Sequence, residues 1–119
     1  MNVGDCFMMS VPPKYDLPHL WIVIAAPTPE DESILAVNVT SDEIRAGREF
    51  VLNGGDHGRI KHESFVSFSD ALLIPMSSIK RLSGILITTE KPMHFNLVNQ
   101  IIVVAKRTAS MSDEKKTRL

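Results

Sequence analysis

The sequence predicts one small domain, mainly β with a C-terminal helix, folded as a strongly bent sheet or partly open barrel. Three observations carry this expectation: several short runs rich in β-branched and aromatic residues, turn signals between them, and a final apolar run at helical spacing.

The first strand is expected at residues 6–9, short and apolar. Residues 19–26 follow as a near-continuous apolar run ended by Pro27 and Pro29, the pattern of a central strand covered on both faces. A third strand is expected at 33–39 after the acidic turn 30–32, and a fourth at 49–52 before the strongest turn signal in the chain, Asn53-Gly54-Gly55-Asp56. These four are compatible with one meander. Residues 64–75 read as a further strand and 84–88 as a closing one, with a single helical turn between them capped by Ser77 or Ser78. The last element reads as a helix. Pro92 suits a first helical position, Leu97, Val98, Ile101, Ile102 and Ala105 recur at helical spacing, and Lys106 and Arg107 favour the C-terminal end of the helix dipole. Trp21, Val23, Val37, Val66, Leu73 and Ile87 are expected to share one core.

At 119 residues and 44% hydrophobic content the chain can fill one core without disulfides or a structural metal. Residues 1–108 are therefore taken as one domain and 109–119 as a disordered charged tail, since the tail keeps only Met111 and Leu119 to bury. The single cysteine, Cys6, excludes an internal disulfide framework and points to a reducing compartment. The N-terminus carries Asp5, no basic residue before its apolar stretch, and Pro12 and Pro13, which is not a signal-peptide layout. No apolar run approaches the roughly 20 residues that span a bilayer. A cytoplasmic protein without membrane contact is expected. The net charge of −1 means that any affinity for nucleic acid must come from a local patch.

The chemistry-bearing residues concentrate between His19 and Ser64. Asp56, His57, Arg59, Lys61, His62 and Glu63 place two imidazoles, two fixed cations and two acids in one short segment. Cleaving RNA without a metal needs a base for the 2′-hydroxyl, an acid for the leaving oxygen and cations for the phosphate, and this segment holds candidates for all three. The alternative is a glycine-rich turn with solvated polar groups. A metal site built on His57, His62 and an acid lacks an adjacent third ligand, so neither metal nor cofactor is expected. His19 starts one strand and Thr40 ends the next, and antiparallel pairing brings those ends together. His19 and His62 are therefore the expected proton-transfer pair, with Arg59 or Lys61 facing phosphate and His57, at the loop tip, mattering less. Thr40 and Ser41 offer hydroxyls to a phosphate oxygen, or simply cap the turn that Asp42 begins. Arg45 and Arg48 would extend the basic patch if the loops meet. Trp21 and Phe65 are stacking candidates that such apolar runs more commonly bury.

Taken in order, Gly4-Asp5, Trp21-Ile22-Val23-Ile24, Val39-Thr40-Ser41, Ser64-Phe65-Val66, the run 71–75, Leu82-Ser83-Gly84 and the final helix resemble the MazF/PemK-like toxins of bacterial toxin–antitoxin pairs. The resemblance spans about residues 4–107 as an order of elements. It implies an SH3-like, partly open barrel, a homodimer, metal-independent endoribonuclease activity on RNA, a small antitoxin protein as partner, and Thr40 and Ser41 at the RNA-binding face. Where that family commonly begins its second strand with arginine and proline, this chain has His19-Leu20, which loses a fixed cation. The resulting site expectation is His19, His62 and Arg59 as catalytic residues, with Thr40, Ser41, His57, Lys61 and Ser64 binding substrate. Two other readings stand beside it: a non-catalytic SH3-like protein-binding domain, and a barrel toxin that inhibits a protein target.

Overall fold

The computed structural model describes residues 1–10 and 17–119; Pro12 and Pro13 lie outside them. Six strands form one sheet: β1 (Cys6–Met9), β2 (His19–Ala25), β3 (Ser33–Thr40), β4 (Val51–Leu52), β5 (Ser64–Pro75) and β6 (Ile87–Glu90). The helices are α1 (Glu43–Ala46), α2 (Met76–Leu82), α3 (Phe95–Arg107) and α4 (Asp113–Lys116). The sheet order is β4-β5-β3-β2-β1-β6, with every neighbouring pair antiparallel.

The first three strands form a meander, but the fourth does not extend it. The long β5 inserts between β3 and β4, pairing Thr40 with Phe65 on one side and Val51 with Phe65 on the other. Register shifts between Val23 and Ala25 and between Ala36 and Asn38 interrupt the ladders. Such bulges bend a strand and increase its twist, which curls the sheet toward a half-barrel.

The apolar runs of β2 and β3 are buried on both faces. Leu20, Ile22, Leu35, Val37 and Val66 pack with Val98, Ile101 and Ala105 of α3, with Leu73 against them. Trp21, Val23, Ile34, Ala36 and Ile87 pack on the other side with Ile79 of α2. The expected single core is thus two. Residues alternate across a strand, so Ile22, paired with Val37, and Trp21, paired with Asn38, lie on opposite faces. Asn38 is fully buried and neither side-chain amide atom has a hydrogen-bond partner among the described residues, a cost of about 1–3 kcal/mol within the second cluster's face.

Several boundaries differ from expectation for local reasons. The closing strand starts at Ile87 rather than Gly84, because Ile85 and Leu86 both donate to the Leu82 carbonyl in the turn that ends α2, which leaves them 76% and 57% exposed. That helix is entered from Pro75 with no side-chain cap, so neither Ser77 nor Ser78 caps it. The last helix starts at Phe95, not Pro92. Met93 is held in its entry by an N–H bond to the Gly4 carbonyl (2.9 Å), and His94 caps the helix by accepting from the Asn96 N–H (3.2 Å). The charged tail is ordered against the domain: Met111 is buried in the α3-side core, Lys115 donates to the Ala71 carbonyl (2.6 Å), and Arg118 reaches Asp31 and two backbone carbonyls. Two apolar side chains, Met111 and Leu119, and two long cations given fixed acceptors dock a segment whose composition alone reads as solvated. Among the described residues, no helix is long and apolar enough to cross a membrane.

Candidate functional site

The loop between β4 and β5 is shaped by its glycines. A Cβ on Gly54 would lie 2.9 Å from the Lys61 carbonyl oxygen, so only glycine lets the two arms of the loop approach this closely, and Gly55 adopts φ +94°. Gly55 N–H to Ile60 O (2.8 Å) and Ile60 N–H to His57 O (2.9 Å) close the turn, while the Ile60 side chain anchors it in the core.

The loop then fastens to the far edge of the sheet. His57 is buried, its Nδ1 accepts the Arg59 N–H (3.0 Å), and its Nε2–H donates to the Lys91 carbonyl (2.6 Å). Both ring nitrogens are committed to backbone, and the accepting Nδ1 fixes the Nε2–H tautomer. Arg59 donates Nε to Glu90, and this hydrogen bond lowers the Glu90 carboxyl below its ordinary value and raises the guanidinium above its own. The charged segment 56–63 therefore straps edge strand β4 to edge strand β6.

A cleft of about 170 Å³ lies where this strap meets the start of β2 and the end of β3. His19, Thr40, Ser41, Arg59, His62 and Ser64 all line it. The pairing of Leu20 with Val39 sets His19 beside Thr40, as the antiparallel argument expects. His19 Nδ1–H donates to the Val39 carbonyl (3.1 Å), so the lone pair of the neutral ring sits on Nε2. His62 is exposed, and neither its ring nor the Ser41 hydroxyl has a hydrogen-bond partner among the described residues. Thr40 Oγ1 accepts the Asp42 N–H (3.1 Å) and Asp42 Oδ1 accepts the Arg45 N–H (3.2 Å), so the capping role of this turn is realised. Ser64 donates to the His62 carbonyl (3.0 Å), which steadies the backbone that carries the His62 ring.

The remaining two candidates, His57 and Lys61, line an adjoining groove of about 680 Å³ together with Arg59, Thr89, Glu90 and Lys91. Arg59 belongs to both walls. Arg45 and Arg48 do not join this basic patch. Arg45 Nε donates to Asp70 (2.9 Å), whereas Arg48 pairs with Glu43 (2.9 Å) and Glu63 (3.4 Å) above the Phe65 ring. Trp21 and Phe65 are core side chains and offer no stacking surface. Among the described residues, no three His, Cys, Asp or Glu side chains gather to hold a metal. Glu90 and Lys91 were missed by sequence reasoning; they lie 31 and 34 residues from their loop partners, and no local pattern marks them.

The six-stranded antiparallel half-barrel with its C-terminal helix defines a small, partly open SH3-like barrel carrying a two-histidine cleft at one end. No protein-family model, no curated protein and no solved structure matches the chain.

Proposed function

We propose that the protein is a metal-independent endoribonuclease of the toxin–antitoxin kind, cutting RNA by attack of a ribose 2′-hydroxyl on the adjacent phosphate. The observation that supports the reading is the meeting of His19, His62 and Arg59, from the start of β2 and the β4–β5 loop, at one cleft. One imidazole takes the 2′-hydroxyl proton and the other returns a proton to the departing 5′-oxygen. The P–O5′ bond breaks as the 2′-O–P bond forms, leaving a 2′,3′-cyclic phosphate and a free 5′-hydroxyl. Arg59 faces the charge growing on phosphate, with the Thr40 and Ser41 hydroxyls beside it. Ser64 acts through His62 as a positioning residue. A cytoplasmic homodimer silenced by a small antitoxin belongs to the same reading.

A second reading draws on the strap. His57 and Arg59 are already engaged in closing the barrel, and that role needs no catalysis, as in a non-catalytic SH3-like binding domain or a toxin acting on a protein target. Cleavage of RNA in EDTA by purified protein separates the two. His19→Ala or His62→Ala is expected to lower the rate by about 10²–10⁴-fold with folding unchanged, and the products to carry cyclic phosphates. Absence of cleavage, or a double variant that cuts like the parent, sinks the enzyme reading in favour of the binding domain.

A further inference from the structure

We infer that Asp70, in β5 and outside the cleft lining, is a positioning residue for the proposed cleavage, acting through Arg45 and Asp42 on the Thr40 hydroxyl that faces phosphate. This rests on the endoribonuclease reading and adds to it a residue that never touches substrate.

Asp70 is the one buried carboxylate among the described residues, and the proposed chemistry makes no use of it. It owes its place to an irregularity in β5. Asn38 pairs with Ser67 but Ala36 pairs with Leu72, so β5 carries extra residues at this point, Asp70 among them. Asp70 Oδ2 accepts from the Ser67 hydroxyl (2.7 Å) and from Arg45 Nε–H (2.9 Å), with the Asp70 side chain only 5% exposed and that of Arg45 27% exposed. Contacts shielded in this way keep their geometry better than exposed ones, because water and salt compete for them less.

α1 needs such a hold. It buries no residue, so no apolar packing fixes it. Its other described tie, Arg48 between Glu43 and Glu63, is made by half-exposed side chains and is correspondingly weak. From Arg45 the hydrogen bonds run back along the chain to the cleft. The Arg45 N–H donates to Asp42 Oδ1 (3.2 Å), and the Asp42 N–H donates to Thr40 Oγ1 (3.1 Å). One lone pair of the Thr40 oxygen is used there. Its hydroxyl proton has no acceptor among the described residues and can be given to a phosphate oxygen in the cleft that Thr40 lines. Asp70 therefore fixes α1, α1 fixes the Asp42 N–H, and that donor fixes the direction in which the Thr40 hydroxyl can point.

The test asks whether the effect of Asp70 runs through Thr40. Cleavage of a single-stranded oligoribonucleotide in EDTA is measured for Asp70→Asn, which keeps the size of the side chain and an acceptor for Ser67 but loosens the hold on Arg45. Its kcat is expected to fall by about tenfold with KM within about twofold of the parent, because a displaced donor fails where charge grows on phosphate. In a Thr40→Val background the same substitution is expected to do nothing further, whereas a loss of general stability lowers the rate equally in both backgrounds. The Arg45→Met/Asp70→Asn double variant removes both charges and leaves no unpaired ion in the sheet; it should match the single variant in kcat, and the amide resonances of Thr40, Ser41 and Asp42 should move in both. If the parent cuts RNA and the two variants cut like the parent, or lose as much rate with Thr40→Val as without it, the positioning role fails and the endoribonuclease reading survives. If the parent cuts nothing, the endoribonuclease reading fails and the role of Asp70 falls with it.

Discussion

At Cys6, burial has the largest influence on what the side chain can do. Cys6, the first residue of β1, is 1% exposed, and desolvation, opposed by a hydrogen bond from the Met93 backbone and reinforced by Asp5 and Glu90, pushes its thiol pKa up from 9.0 to about 12. A thiol raised in this way holds little of the thiolate form that attacks. The linkage sign follows directly: below pH 9 both folded and unfolded thiols keep their proton, and between pH 9 and about 12 only the unfolded chain releases it, so stability falls as pH rises. Urea unfolding at pH 8 and pH 10 should show the parent losing more stability than Cys6→Ala over that interval, by on the order of 1 kcal/mol. Identical pH dependence in the two proteins would contradict a raised thiol pKa. His19 and His62 were legible as a pair at this scale because strand order dictated where His19 goes. The role of His57 was not, because its acceptor is a backbone carbonyl 34 residues away that carries no mark in the sequence.

At the scale of the element, the β4–β5 loop is the part whose sequence said most about position and least about purpose. The turn at Asn53 to Asp56 was evident from its glycines, and Asp56 accepts the Asn53 N–H (2.7 Å) as an aspartate in such a turn does. That the loop straps two edge strands together depends on β6, whose start was displaced by the turn at 83–86. The two glycines that lack a positive φ in this loop separate packing from backbone conformation. Gly54→Ala would drive a Cβ to 2.9 Å from a backbone oxygen that cannot swing away, whereas Gly58→Ala meets nothing within 4 Å. Gly54→Ala is expected to cost about 1–3 kcal/mol and to shift the amide resonances of Arg59 and His62, while Gly58→Ala stays within about 0.5 kcal/mol of the parent. Denaturation curves and a heteronuclear NMR spectrum of each variant check this; equal behaviour of the two would show that the arms of the loop have room to spare.

The whole molecule has two ends, and Arg118 binds at the one opposite the cleft. The order of elements could be read from periodicity and punctuation, but the pairing order could not, since a strand as long as β5 has enough backbone to serve both β3 and β4 and nothing local says so. The tail has the composition of a solvated end, yet its acceptors come from distant parts of the chain: the Ala71 carbonyl of β5 for Lys115, and the β2–β3 hairpin for Arg118. Arg118 donates to Asp31 Oδ2 (3.0 Å), the Ala26 carbonyl (2.9 Å) and the Ser33 carbonyl (2.7 Å), with its side chain 11% exposed and that of Asp31 45% exposed. The two carbonyl bonds are the better shielded, so they rather than the ion pair should dominate. Arg118→Ala is accordingly expected to destabilise the protein by about 1.5–3 kcal/mol in urea unfolding, and Asp31→Ala by less than about 1 kcal/mol. Arg118→Lys should recover only part of the loss, because an ammonium cannot copy the planar fork that spans three acceptors. The cleft lies at the opposite ends of the same two strands, where His19 begins β2 and Thr40 ends β3. Any cleavage measured well below the unfolding midpoint should therefore be the same for Arg118→Ala and the parent. A variant as stable as the parent would show that the Arg118 contacts contribute nothing to the fold, and a stable variant with altered cleavage would mean that the two ends of the barrel are coupled through β2 and β3.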